Sequence, residues 1–122
     1  HVHVISVEYP KTVLARILDE LIAGASEIIK AATGIEPRKA PQDVMTIYDQ
    51  YLGEGYSVPT ILSRQSLFRL ARTEGILLED IYTSKSFGGL LDLILVGQLP
   101  LDQGVCYIHT GGLGSLFAQD IL

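Results

Sequence analysis

The sequence predicts an α/β fold built on a Rossmann-like, mainly parallel sheet with flanking helices. Three observations lead there: short β-branched apolar runs that read as strands, longer runs with helical apolar spacing, and the alternation of the two along the chain. The length of 122 residues suits a single domain, and a composition 48% apolar and 19% charged is that of a globular core rather than a disordered segment.

Residues 2–9 (VHVISVEY) are a β-branched run that reads as a strand buried on both faces, the signature of a parallel sheet. Pro10 stops that ladder and suits the first turn of a helix. Over residues 12–32 the apolar positions Val13, Leu14, Ile17, Leu18, Leu21, Ile22, Ala25, Ile28 and Ile29 recur in steps of one, three and four, which predicts a wide helical stripe. Arg16, Asp19, Glu20, Glu27 and Lys30 fill the outer face, and Gly34 suits the left-handed position that ends a helix. Residues 35–42, with Pro37, Arg38, Lys39 and Pro41, predict a polar loop, and residues 43–48 a second strand.

The glycines and proline of residues 51–60 (YLGEGYSVPT) predict a sharply turning loop. Thr60 is placed to cap a helix that closes near Gly75. Residues 76–78 predict a third strand or an extended link, and Ser84 or Ser86 is placed to cap a leucine-rich helix ending at Gly97. Residues 105–109 predict the last strand, after which Thr110-Gly111-Gly112 leads into a short helix. No internal repeat or linker divides the sequence. The chain starts without Met in what reads as the middle of a strand, so it is expected to be a piece of a longer protein.

Nine Lys+Arg against 14 Asp+Glu give a formal net charge of -5, which argues against a nucleic-acid surface, since phosphate binding needs clustered cations. The longest apolar stretch, residues 90–101, is broken by Asp92, Gln98 and Pro100, so no membrane span is predicted. The single cysteine, Cys106, excludes an internal disulfide and any Cys-rich zinc site, and fits a reducing, cytoplasmic compartment. Within its apolar run it is expected to be a buried, inert thiol.

In open parallel sheets ligands bind beyond the carboxyl ends of the strands, which here directs attention to residues 51–60, 79–86 and 109–114. Thr110-Gly111-Gly112, between a strand and a helix, would bring backbone N–H groups and a hydroxyl close to a ligand; a tight turn with a satisfied threonine accounts for it equally well. Tyr56 and Tyr82 carry phenols that can stack on a flat ring, donate a hydrogen bond or move a proton, though a loop tyrosine is more often a space-filler. Lys85 is expected to cap, to pair with Glu79 or Asp80, or to be solvated. His1 and His3 alternate on a strand without a third ligand, so no metal site is predicted. His109 reads as a hydrogen-bonded structural histidine, and Glu74 and Asp92 as residues of helix ends and faces.

Three segments taken together carry a resemblance: GEGYSVPT (residues 53–60), ARTEGILLEDIYTSKSFGGLLDLI (residues 71–94) and HTGGLGSLFA (residues 109–118). In sequence and spacing they resemble the C-terminal part of the family that includes D-cysteine desulfhydrase and 1-aminocyclopropane-1-carboxylate deaminase, pyridoxal-phosphate enzymes of tryptophan-synthase-β-like fold. The resemblance implies pyridoxal phosphate as cofactor, Tyr56 and Tyr82 as active-site tyrosines with Tyr82 against the cofactor ring, and Thr110 facing the pyridine nitrogen. It implies a small amino-acid substrate, and a homodimer when complete. The deaminase branch has a glutamate after the second tyrosine; Thr83 and Thr110 here lean toward the desulfhydrase. The sequence departs from the pattern at Ser84, where the family commonly has Gly, and at Glu79-Asp80-Ile81, which replaces Asp-Pro-Val. The family's cofactor-anchoring lysine and phosphate cradle lie upstream of all these segments, so an N-terminal portion, on this or another chain, is the expected partner. The alternative is a catalytically inactive α/β domain kept for binding or assembly.

Overall fold

The computed structural model describes residues 1–36, 38–102 and 104–117; Pro37 of the polar loop and Ala118, the last residue of the third resembling segment, lie outside them. Strand β1, Val2–Ile5, pairs in parallel with β2, Met45–Tyr48, in the register Val2↔Met45 to Ile5↔Tyr48. The ladder runs one bond further, from the Ser6 N–H to the Tyr48 carbonyl at 2.7 Å. A parallel pair needs a crossover, supplied by α1, Lys11–Thr33, and the short α2, Pro41–Val44. Helices α3, Ile61–Glu74, and α4, Thr83–Leu95, then pack on each other, and α5, Leu113–Leu116, closes the described chain.

The amphipathic run forms α1 as its spacing predicts. The Pro10 carbonyl accepts the N–H groups of Val13 and Leu14, while the Lys11 N–H donates to Asp49 Oδ2 at 2.7 Å, tying the start of the helix to the end of β2. Gly34 takes the left-handed conformation at φ 73° and its N–H returns to the Lys30 carbonyl. The stripe itself is not covered: no residue of α1 is buried, and Leu21 and Ile28 are 64% and 71% exposed. A compact monomer of this mass would expose about 6,400 Å², against 8308 Å² for this chain.

The sheet is smaller than the sequence implies. Among the described residues it has two strands; β1 spans four residues rather than 2–9, and its outer residues are exposed instead of buried on both faces. The second strand starts at Met45, because Pro41 opens a helical turn through Val44. Residues 76–78 are an extended link and residues 105–109 form no ladder. An apolar extended run becomes a strand only beside another edge, and these two are held by side chains instead. Tyr107 donates to the Thr83 carbonyl at 3.1 Å and packs edge-on against Phe87, at 5.2 Å between ring centroids. Cys106, beside it, is exposed, not buried.

The core lies around α4. Tyr51, Leu90, Leu93 and Leu99 form one buried cluster, and Leu67, Leu78 and Leu116 another, with Phe87 packed against both. Helix α3 begins as predicted: the Thr60 hydroxyl accepts the Ser63 N–H at 3.0 Å, the Ser63 hydroxyl accepts the Thr60 N–H at 2.9 Å, and Gly75 ends the helix at φ 68°. Adjacent glycines bring the layers together. A Cβ on Gly88 would lie 2.9 Å from Ser66 Oγ and 3.0 Å from Leu62 Cγ on α3, and one on Gly89 would lie 2.8 Å from Tyr51 Cδ2 and 2.9 Å from Ile5 Cγ2. Among the described residues no helix is long and apolar enough to cross a membrane.

Two outcomes follow from this packing. Gly88→Ala should lower stability by about 1–3 kcal/mol in urea melts, overpacking outweighing the better helix propensity of alanine. The Tyr51 phenol is pushed up to about 12 by burial and by its hydrogen bond to Asp92 Oδ2 at 2.8 Å. Unfolded tyrosine loses its proton near pH 10 (about 10), so the stabilisation is complete below that pH and is lost as pH rises toward the folded value. Tyr51→Phe should make the fall of unfolding free energy between about pH 10 and 12 shallower, read from denaturant titrations across that range.

Candidate active site

Glu79 organises the site. The chain reaches it through the extended link after Gly75, and the residue is fully buried. Its Oε1 accepts the N–H groups of Tyr82 and Thr83 at 2.7 and 2.5 Å, and its Oε2 accepts that of Ile81 at 2.7 Å. The Thr83 hydroxyl in turn accepts the Glu79 N–H at 3.0 Å. The Tyr82 and Thr83 amides are ones that the start of α4 leaves without helical partners, and a carboxylate is favoured there by the helix dipole as well. The predicted caps are therefore corrected: Ser84 and Ser86 lie inside α4, and Glu79 performs the capping. The Ser84 hydroxyl, at the position where the resembling family commonly has Gly, is buried and has no hydrogen-bond partner among the described residues.

Tyr82 leaves this turn with its ring outward. Its hydroxyl meets the hydroxyl of Tyr56 at 2.5 Å, with ring centroids 5.6 Å apart and planes inclined by 58°. Each ring keeps an open surface, 49% exposed for Tyr56 and 40% for Tyr82. The Tyr82 phenol is pushed up to about 12, first by the hydrogen bond to Tyr56, then by desolvation and by the nearby Tyr56, Glu8 and Glu79 charges. At neutral pH the Tyr82 hydroxyl therefore keeps its proton and can donate or accept in this contact.

The Thr110 loop approaches from the other side. The His109 Nε2 donates to the Leu77 carbonyl at 2.9 Å, and its Nδ1 accepts the Gly111 N–H at 3.1 Å. Both ring nitrogens are thus engaged, in the structural role predicted for this residue. Gly111 and Gly112 have φ of 108° and 91°, and a Cβ on Gly112 would collide with Cγ of Glu79. Thr110 itself is exposed. The structure joins Tyr56 to Tyr82 directly, while the Thr110 loop meets Glu79 through Gly112 and is given no direct contact with either tyrosine among the described residues.

Lys85 is not the solvated or paired lysine expected. It is 1% exposed, and its ammonium donates to the carbonyls of Leu52 and Gly55 at 3.0 and 2.8 Å. Burial pulls it below the ordinary lysine value, while the Asp80 charge opposes the shift. His1 and His3 are used by the sheet, their rings bonding the hydroxyls of Thr46 and Tyr48 at 2.8 and 3.1 Å. Asp92 holds the Tyr51 hydroxyl, as a helix-face residue. Sequence reasoning passed over Glu79, Lys85 and Tyr107 as participants. A carboxylate four residues before a threonine at a helix start was the available sign for Glu79; nothing local distinguishes Lys85. Glu79→Gln replaces one acceptor oxygen by a donor that faces an N–H, so amide hydrogen exchange at Ile81, Tyr82 and Thr83 should accelerate by about tenfold or more, an unsatisfied buried amide costing about 1–3 kcal/mol.

Comparison with known proteins gives relatives that bear on this geometry. No family model matches the chain. It is 38% identical over 87 residues to a D-cysteine desulfhydrase of Yersinia enterocolitica, a match covering 71% of this chain and 26% of that protein. It is 36% identical over 78 residues to a protein of Thermotoga maritima assigned by name to 1-aminocyclopropane-1-carboxylate deaminase, covering 64% of this chain and 24% of that protein. The matched part spans about a quarter of the length of these curated relatives. At that identity over most of the chain the two proteins are its homologues, and they carry the two names of the family that the three segments resemble.

Proposed function

We propose that this chain is the C-terminal portion of a pyridoxal-phosphate lyase acting on a small amino acid, with D-cysteine-desulfhydrase-like β-elimination to sulfide, ammonia and pyruvate as its reaction. The observation that carries the reading is the contact of the Tyr56 and Tyr82 hydroxyls, from segments 26 residues apart, on rings that stay open outward. Space-filling tyrosines would bury their rings.

The donor set fits the ring end of the cofactor. Two phenols and the exposed Thr110 hydroxyl are neutral groups, suited to the face and nitrogen of a flat heterocycle and not to a phosphate. Pyridoxal phosphate, when bound, supplies an electron sink for a carbon beside an amino group. In this assignment Tyr82 lies against the ring, Tyr56 orients or protonates groups at its edge, and Thr110 holds the pyridine nitrogen. Because the Tyr82 phenol is pushed up to about 12, it donates a proton or a hydrogen bond at neutral pH and does not abstract one. A hydroxyl pulls on a pyridinium proton far less than a carboxylate would. That favours loss of a thiol, a good leaving group, over the opening of a cyclopropane.

The lysine that anchors the cofactor must come from the remainder of the enzyme. Lys11, Lys30 and Lys39 are exposed, and Lys85 is held by backbone carbonyls. The uncovered stripe of α1 and the free edges of the two-stranded sheet are where that remainder would pack.

Co-expression with the missing portion in the presence of pyridoxal phosphate should give a yellow complex with visible absorption. A complex that assembles and stays colourless would favour the alternative, an inactive α/β domain kept for assembly. In the active complex Tyr82→Phe should slow elimination by about tenfold or more, the loss of roughly 1.4 kcal/mol in the transition state, with a smaller change in cofactor affinity. An unchanged rate would remove Tyr82 from the reaction.

A further inference from the structure

We propose that Lys85 is the positioning residue of the tyrosine pair, its ammonium clamping the turn from which Tyr56 reaches Tyr82. The inference rests on the assignment of that pair to the cofactor site. Lys85 stands three residues after Tyr82, on the first turn of α4, and reaches across to the loop that carries the other tyrosine. One cation takes the carbonyls of Leu52 and Gly55, and the Gly55 carbonyl belongs to the peptide that continues into Tyr56.

The loop does not hold this shape by its own bonds. Its internal backbone bond, Val58 N–H to the Gly55 carbonyl, and the bond leading into it, Leu52 N–H to the Asp49 carbonyl, are both 3.4 Å long. Tyr56 is flanked by Gly55 at φ 144° and by Ser57 at φ 63°, a left-handed conformation that a non-glycine residue keeps only when its surroundings impose it. A lysine ammonium taken out of water must also be matched by acceptors, and two carbonyls at hydrogen-bond distance supply the match. A buried lysine serving only to fill space would keep its cation at the surface and bury the stem. Here the charge is drawn in, from the first turn of α4 toward one turn of the loop.

The test uses NMR on the chain with ring-labelled tyrosines. In the wild-type protein the Tyr82 phenol is pushed up to about 12, first by its bond to Tyr56, with Glu8 and Glu79 as the facing carboxylates, and its titration should show that. In Lys85→Met it should fall by about one unit or more toward the ordinary tyrosine value, and the Tyr56–Tyr82 ring cross-peaks should be lost. Tyr51, at the mouth of the same loop but with its phenol pinned by burial and by Asp92 on α4, should keep its value. Lys85→Arg, which retains the cation, should restore at least part of the Tyr82 shift. An unmoved Tyr82, or an equal fall of Tyr51, would overturn the proposal, the second because Lys85 would then hold the fold at large. A measurement without a variant covers the case in which Lys85→Met does not fold: the Lys85 ammonium protons should exchange slowly and show cross-peaks to residues 52 and 55, and exchange at the rate of free lysine would overturn the clamp. If the Tyr82 shift collapses as expected while elimination in the reconstituted complex is unchanged, the clamp stands and the catalytic assignment of the tyrosines falls.

Discussion

A carboxylate buried without water is tolerable only where the protein supplies its hydrogen bonds in advance. At Glu79 three consecutive peptide N–H groups do so, and the consequence spreads in each direction from that one side chain. It starts α4, fixes the backbone of Tyr82, receives the Thr83 hydroxyl at its own N–H, and leaves room for the Thr110 loop only because Gly112 has no Cβ. A shorter or uncharged residue would leave the helix start with unpaired amides and the glycine loop with a gap.

A second buried charge one turn further on completes the arrangement. Glu79 gathers N–H groups and Lys85 gathers carbonyls, so each charged side chain satisfies backbone atoms of a segment that has no regular structure of its own. Asp80, between them in sequence, accepts from the Ser63 hydroxyl at 3.3 Å and pairs with Arg64 on α3. Charges spent on the backbone in this way leave the outward surface to neutral phenols.

How much of this was legible in the sequence follows from which interactions are local. The spacing of α1, the Thr60 and Gly75 ends of α3, and the turn-rich loop around Tyr56 all depend on residues a few positions apart, and each is found as expected. The tyrosine pair was reached through the family resemblance, since no local pattern links positions 56 and 82. The sheet was over-read at residues 105–109, which have strand composition but no neighbouring edge to pair with among the described residues, while residues 76–78 take the extended link that was one of their two readings. Cys106 and Lys85 were misjudged in opposite directions for one reason: exposure is decided by what packs alongside, and neither the open side of the 105–109 segment nor the carbonyls 30 and 33 residues before Lys85 are visible locally.

Gly88 and Gly89 give the arrangement its mechanical character. With no side chain between them, α4 approaches α3 at one glycine and Tyr51 and β1 at the next, so closely that a Cβ at either position would overlap a neighbouring side chain. Tyr51 opens the loop that holds Tyr56, and α4 begins just past Tyr82. The separation of the two phenols therefore depends on an approach that a methyl group at position 88 or 89 would force apart.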